Sequence, residues 1–93
     1  MITDNTAVRA ADNVVFNEFD GETVLMCVDS GKYIDLNATA SRIWERIAED
    51  WITFDALCQG LTDEFDVDIE SCRVDSLALL EDLHNRGLIE VRQ

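Results

Sequence analysis

The chain has 93 residues, enough for one domain with a modest core and little room for a second. Its 20 acidic against 7 basic side chains give a formal charge of −13, which opposes binding to nucleic acid and to anionic membranes, since both draw on Lys and Arg. A hydrophobic content of 47% with four Gly and no Pro belongs to a folded chain of regular elements joined by tight turns, not to a disordered one.

Residues 1–13 are mixed, polar and aperiodic, and read as a flexible tail ahead of a domain spanning 14–93. They contain neither a basic start nor an apolar run, so they do not form a signal peptide. No stretch of the chain is apolar for long enough to span a membrane, which makes the cytoplasm the default compartment.

Residues 14–36 read as three strands in an antiparallel meander. Asp20-Gly21 is a strong hairpin signal and Ser30-Gly31 a second one. With two-residue loops at both, Phe16 faces Leu25, Val14 faces Cys27, Cys27 faces Ile34 and Leu25 faces Leu36. These six residues then share one face, which a slip of one residue would scatter. The other face carries Asn17, Phe19, Glu22, Val24, Met26, Val28, Tyr33 and Asp35, and is more apolar than a plain solvent face.

Asn37 is a good N-cap for a first helix over 37–50, with Ala40, Ile43, Trp44, Ile47 and Ala48 as its apolar stripe. Thr53 caps a second helix with the stripe Phe54, Leu57, Cys58, Leu61 and Phe65. Asp68 or Ser71 starts a third, which runs to about Arg86. Its apolar set of Ile69, Cys72, Val74, Leu77, Leu79, Leu80 and Leu83 is wider than one stripe, so it packs on more than one neighbour or leaves a flank for a partner. Gly87 suits the position just past the helix end, with Leu88 folding back on the last turn. Leu88 to Val91 adds a short strand. The fold class is α+β: a three-stranded antiparallel meander followed by three helices, winged-helix-turn-helix-like.

The chemistry-bearing residues do not converge on a catalytic or metal site. Cys27, Cys58 and Cys72 are odd in number and far apart, with no CxxC pair, which fits small buried residues in a reducing compartment better than disulfides or zinc ligands. His84 has no nearby ligand partner and suits the last turn of a helix. Asp63, Glu64, Asp66, Asp68 and Glu70 lack the central Gly of a calcium loop, and the spacing of Phe65, Val67 and Ile69 suggests burial. The third helix carries Glu70, Asp75, Glu81 and Asp82 against Arg73 and Arg86, so as a recognition helix it would be repelled by DNA. No cofactor is implied.

The third strand is flanked on one side only, which leaves backbone groups of Lys32 to Leu36 unpaired. Such an edge is either guarded, here by Lys32 and Asp35, or used for strand addition by a peptide. In the second case a proline at Ile34 removes a ladder donor and weakens binding.

The element order, the segments "YIDLNATASRIW" and "FDVDIESCRVDSLALLEDLHNRGLIEV", and the Asp29-Ser30-Gly31 turn resemble the PqqD-like family, the RiPP recognition elements that serve ribosomally made peptides. The likeness covers about Val14 to Val91 and is greatest to the free-standing B1-type proteins of lasso peptide pathways. Residues 1–13 and Trp51 match nothing in the family pattern. The resemblance implies a non-catalytic adaptor that binds the leader of a precursor peptide by strand addition and presents it to a B2-type leader peptidase and a macrocyclase. It implies a cleft between the third strand (Lys32, Tyr33, Ile34, Asp35, Leu36) and some subset of Arg73, Val74, Leu77, Leu80, Glu81 and His84 on the third helix, with the side of the helix left open. A PQQ-type carrier delivering its precursor to a radical SAM enzyme is the alternative within the family. Outside it stand a generic acidic interaction module and a small enzyme using Cys or carboxylates.

Overall fold

The computed structural model describes residues 2–93. In chain order these form β1 (Ala7–Ala10), β2 (Val14–Phe19), β3 (Glu22–Cys27), β4 (Tyr33–Leu36), α1 (Ala38–Ile47), β5 (Ile52–Thr53), α2 (Phe54–Glu64), α3 (Ile69–Asn85) and β6 (Ile89–Arg92).

The strands β2-β3-β4 make the expected meander. Asp20 and Gly21 have φ of 52° and 83°, the two positive values that a two-residue hairpin of type I′ needs. Val14 lies opposite Cys27 and Phe16 opposite Leu25. The second hairpin differs from expectation. Leu25 pairs with Ile34 and Thr23 with Leu36, two residues out of the expected register. The loop is wider than two residues: the Gly31 N–H donates to the Cys27 carbonyl at 2.8 Å, and the Cys27 N–H to the Lys32 carbonyl at 3.0 Å. A displacement of two leaves every side chain on its own face, so the inner set survives. Leu25 and Leu36 are buried, Val14, Cys27 and Ile34 pack half-buried against the core, and buried Thr23 joins them. Phe16 is 41% exposed but sets its ring edge-to-face on Trp44, 5.8 Å between centroids.

The flexible-tail reading of the N-terminal segment is overturned for its described residues; Met1 lies outside them. β1 is the middle of a second antiparallel sheet, ordered β5-β1-β6. Thr6 and Val8 are fully buried, and Ile2 and Ala10 nearly so. The inward alternation Thr6, Val8, Ala10 was present in the sequence. It is short and made of small residues, however, and the partner strand lies about 80 positions away, so no local pattern announces it.

The helix caps form where the side chains allow. Asn37 accepts from the Ala40 N–H at 2.9 Å, Thr53 from Ala56 at 3.2 Å and Asp68 from Ser71 at 3.0 Å. At the end of α3, Gly87 has φ 76°, its N–H donates to His84, and the Leu88 N–H donates to Leu83. This is a Schellman closure, and it turns the chain into β6. The core joins both sheets through the helices. Trp44, Ile43 and Ile47 of α1 meet Phe54, Leu57, Cys58 and Leu61 of α2 and Leu80 and Leu83 of α3, together with Val8, Leu25, Leu36, Leu88 and Ile89. α1 packs on β1 and on β3, and α3 on α2, β6 and α1, which accounts for the wide apolar surface of α3. Val67, expected inside, is 49% exposed in the stretch before α3.

Candidate peptide-docking site

Among the described residues β4 has β3 on one side and no strand on the other, and its register fixes which backbone groups are free. The Cys27–Lys32 bond and the Leu25–Ile34 and Thr23–Leu36 pairing make positions 32, 34 and 36 the ones directed at β3. In an antiparallel ladder such positions alternate with non-bonded ones. The N–H and C=O groups of Tyr33 and Asp35 therefore point outward, along the free edge. This corrects the test suggested by the sequence: a proline at Ile34 would cut the β3–β4 ladder, not the docking edge.

The side chains follow the same alternation. Tyr33 (70% exposed) and Asp35 lie on the outer face, while half-buried Ile34 and buried Leu36 lie on the inner one. Lys32, exposed, precedes the strand. On the outer face Val15, Met26 and Tyr33 align across the three strands. Val15 and Phe19 are exposed there beside Asn17 and Asp35, so this face is mixed and more apolar than a plain solvent face. Asn37 and Ser41 bind the strand to α1: Asn37 caps the helix, and the Ser41 hydroxyl donates to the Leu36 carbonyl at 3.3 Å.

The helix residues singled out from the sequence fall into separate groups. β4 packs against β3 and α1, with no comparable packing on α3. Arg73, Val74 and Leu77 of α3 line an open groove whose other wall is Ile2, Thr3, Asp4 and Asn5, with Phe54 between. Arg73 forms an ion pair with Asp4, lies 3.5 Å from Asp55 and stacks over the Phe54 ring. Glu81 accepts from the Ile2 N–H at 3.2 Å. Leu80 is wholly buried in the core, and His84 is exposed in the last turn. The stretch 2–5 and Phe54 were missed by sequence reasoning: the first is aperiodic, and the second read only as core.

Of the three free thiols Cys58 is buried and Cys27 and Cys72 are half-buried. Burial pushes the Cys58 thiol up to about 12, with neighbouring Cys72 adding to the effect, so it stays protonated near neutral pH and is a poor nucleophile. The Cys27 thiol is lowered, mainly by a hydrogen bond with Ser30. Among the described residues no group of three or more His, Cys, Asp or Glu side chains could hold a metal ion, and no helix is long and apolar enough to cross a membrane.

An α+β domain whose three-stranded sheet ends in an open edge, backed by a three-helix bundle, is the architecture of a small peptide-recognition module. The family profile of coenzyme PQQ synthesis protein D (PqqD) matches residues 22–89, well over half of the chain, and the chain belongs to that family. It is a PqqD-like RiPP recognition element of the B1 type. Among solved structures it is similar to TbiB1 in complex with the TbiA(beta) leader peptide, with a TM-score of 0.80 and 30% identity over 88% of this chain and 94% of that one. It is also similar to a lasso peptide synthetase B1 complexed with the leader peptide, with a TM-score of 0.75 and 28% identity over 89% and 96%. No curated protein matches the sequence. β1 and β2 precede the matched residues, and most of β6 follows them.

Proposed function

We propose that this chain is a non-catalytic adaptor that binds the leader of a ribosomally made precursor peptide as a strand added to β4. The observation that carries this reading is the open edge of β4, with the N–H and C=O groups of Tyr33 and Asp35 turned outward. Backbone bonds to these two residues give affinity that tolerates many sequences, and side chains alternate to give selectivity. The leader residue beside Ile34 points to the inner face and should be apolar; those beside Tyr33 and Asp35 join the outer face. Residues among Arg73, Val74, Leu77, Glu81 and His84 supply the helix side of the site, with the expected Leu80 excluded because it is buried in the core. The two leader-peptide complexes among the similar structures support the reading.

The loaded adaptor then presents the precursor to a B2-type leader peptidase and a macrocyclase, in the cytoplasm, where the three free cysteines stay reduced. The name of the matched family favours a second reading, delivery to the radical SAM enzyme of a PQQ-type pathway. Pull-down with each enzyme separates the two.

The direct test is Asp35→Pro. Proline is tolerated on an edge strand and here removes one outward N–H, leaving the bonds of Ile34 and Leu36 to β3 in place. Fluorescence anisotropy with a labelled leader should show affinity about tenfold lower or worse, from one lost hydrogen bond and the ring in the path of the incoming strand. Unchanged affinity in a folded variant would sink strand addition.

A further inference from the structure

The outer face of the β5-β1-β6 sheet carries Ala7, Arg9, Thr53, Glu90 and Arg92, opposite the face of buried Val8, Ala10 and Ile89. Two guanidinium groups gather there on half-buried Trp51, just ahead of β5. The Arg92 Cζ lies 4.2 Å from the ring centroid and the Arg9 Cζ 5.2 Å. The Trp51 N–H donates to Asp50 at 2.8 Å and so holds the entry to the strand. Arg9 is neutralised, by Glu90 at 2.9 Å and Asp12 at 3.3 Å. Arg92 is not. Across the sheet it faces Ala7, with Thr53 beyond, and neither carries charge. Of the seven basic side chains five pair with carboxylates, and among the described residues only Lys32 and Arg92 do not. In a chain of 20 acidic side chains, Arg92 is an arginine left available.

We infer that this face docks an acidic segment of a partner protein, with a carboxylate on Arg92 beside the Trp51 ring, and that the partner is a maturation enzyme receiving the loaded precursor. The second half of the inference rests on the adaptor reading above. A guanidinium stacked on an indole is held in place and weakly hydrated, while its N–H fork can still grip a carboxylate through two bonds. Trp and Arg are also among the residue types that carry most of the energy of protein interfaces. Charge narrows the occupant. Nucleic acid and anionic membranes need several cations, and the chain as a whole carries −13. A second copy brings the same charge and is repelled. An acidic segment of a different protein meets attraction at this face and repulsion over most of the rest, which orients it. The face belongs to a different sheet from β4, so a partner here leaves the edge of Tyr33 and Asp35 to the leader. Arg9 and Arg92 lie outside the residues matched by the family profile.

Arg92→Glu tests this without endangering the fold, because Arg92 is exposed on an outer strand and has no ion pair to lose. The probes are the leader peptidase and the macrocyclase encoded beside this gene, each purified and immobilised for biolayer interferometry, with the adaptor in solution with and without the leader of its neighbouring precursor. Arg92→Glu should weaken binding to one of these enzymes by about tenfold or more, and Arg92→Ala by about threefold, because reversal adds repulsion to the lost pair. Leader affinity, read by anisotropy, should stay within about twofold of the wild type in both variants. Equal losses from the two substitutions would overturn the acidic partner. Unchanged affinity for both enzymes in Arg92→Glu would overturn the docking face, as would a matching loss of leader affinity. A wild type that holds the leader and neither enzyme overturns the docking face and leaves leader binding standing. A wild type that does not hold the leader overturns the adaptor reading, and the measurements without leader still decide whether Arg92 docks an enzyme.

Discussion

The two sheets of this small domain are built on opposite principles. β2, β3 and β4 follow one another through short loops, and the meander they form is paired by local turns. β5, β1 and β6 come from the middle, the start and the end of the chain, with Val8 opposite Val91 and Ile52. The local sheet ends in an exposed edge that a peptide can extend. In the sheet of distant strands, β1 is held on both sides, and it ties the chain's first residues to its last. One sheet has an open edge, the other closes the fold, and α1 packs on both.

The sharpest way to break this comparison is Val8→Asp. Val8 is wholly buried in the middle strand, and a carboxylate there has no partner to offset its desolvation. The loss should be about 3–5 kcal/mol, a large share of the stability of on the order of 5–15 kcal/mol available to a domain. Chemical denaturation should show a chain that is largely unfolded or nearly so. A change below about 0.5 kcal/mol, the ordinary effect of a surface substitution, would restore the flexible-tail reading of the N-terminal residues.

That reading went wrong for a physical reason. The meander was legible because the Asp20-Gly21 turn, strand alternation and β-branched residues agree locally. Even its register error at Ser30-Gly31 moved the pairing by an even number and kept the faces. The caps Asn37, Thr53 and Asp68 were legible because each satisfies the backbone three residues on. β1 carries no such local agreement, and its stability comes from partners that sequence spacing does not reveal. The docking site divides in the same way. The free edge followed from strand order alone, whereas which of its backbone groups point outward depended on the loop length. The groove on α3 depended on the segment 2–5, which returns to the helix from about 70 positions away.

A smaller effect probes the junction on the local side. Asn37 both ends β4 and caps α1. Asn37→Ala should cost about 1 kcal/mol of stability and loosen the Leu36–Ser41 connection. Hydrogen exchange should then quicken in the first turn of α1 and at β4, with the β1–β6 amides unaffected. Equal quickening in both sheets would mean that they unfold as one unit and that the division drawn between them has no dynamic counterpart.

The smallest expected effect contrasts the electrostatics of the two sheets. In the sheet of distant strands Arg9 sits in register with Glu90 and pairs with it at 2.9 Å, and this bond raises the Arg9 pKa. On the meander Glu18 meets a like charge, Glu45 of α1. Hydrogen bonding between the two carboxyls is the main cause of a raised Glu18 pKa, with Arg42 opposing it. The sign follows from linkage: a carboxyl whose folded pKa lies above its unfolded value binds its proton more tightly in the native state. Its contribution is therefore present at low pH and is lost as pH rises through the folded pKa. Above that pKa the Glu18 charge faces the like charge of Glu45. Glu18→Gln supplies an amide donor to Glu45 without the charge, and should raise the melting temperature at pH 7 by about 1–2 °C, as expected for an exposed charge pair. At pH 4 the gain should shrink, because the fold favours the protonated form of Glu18. A gain of the same size at both pH values would show that the substitution acts through strand propensity, and that the meander carries no charge conflict for the pH to relieve.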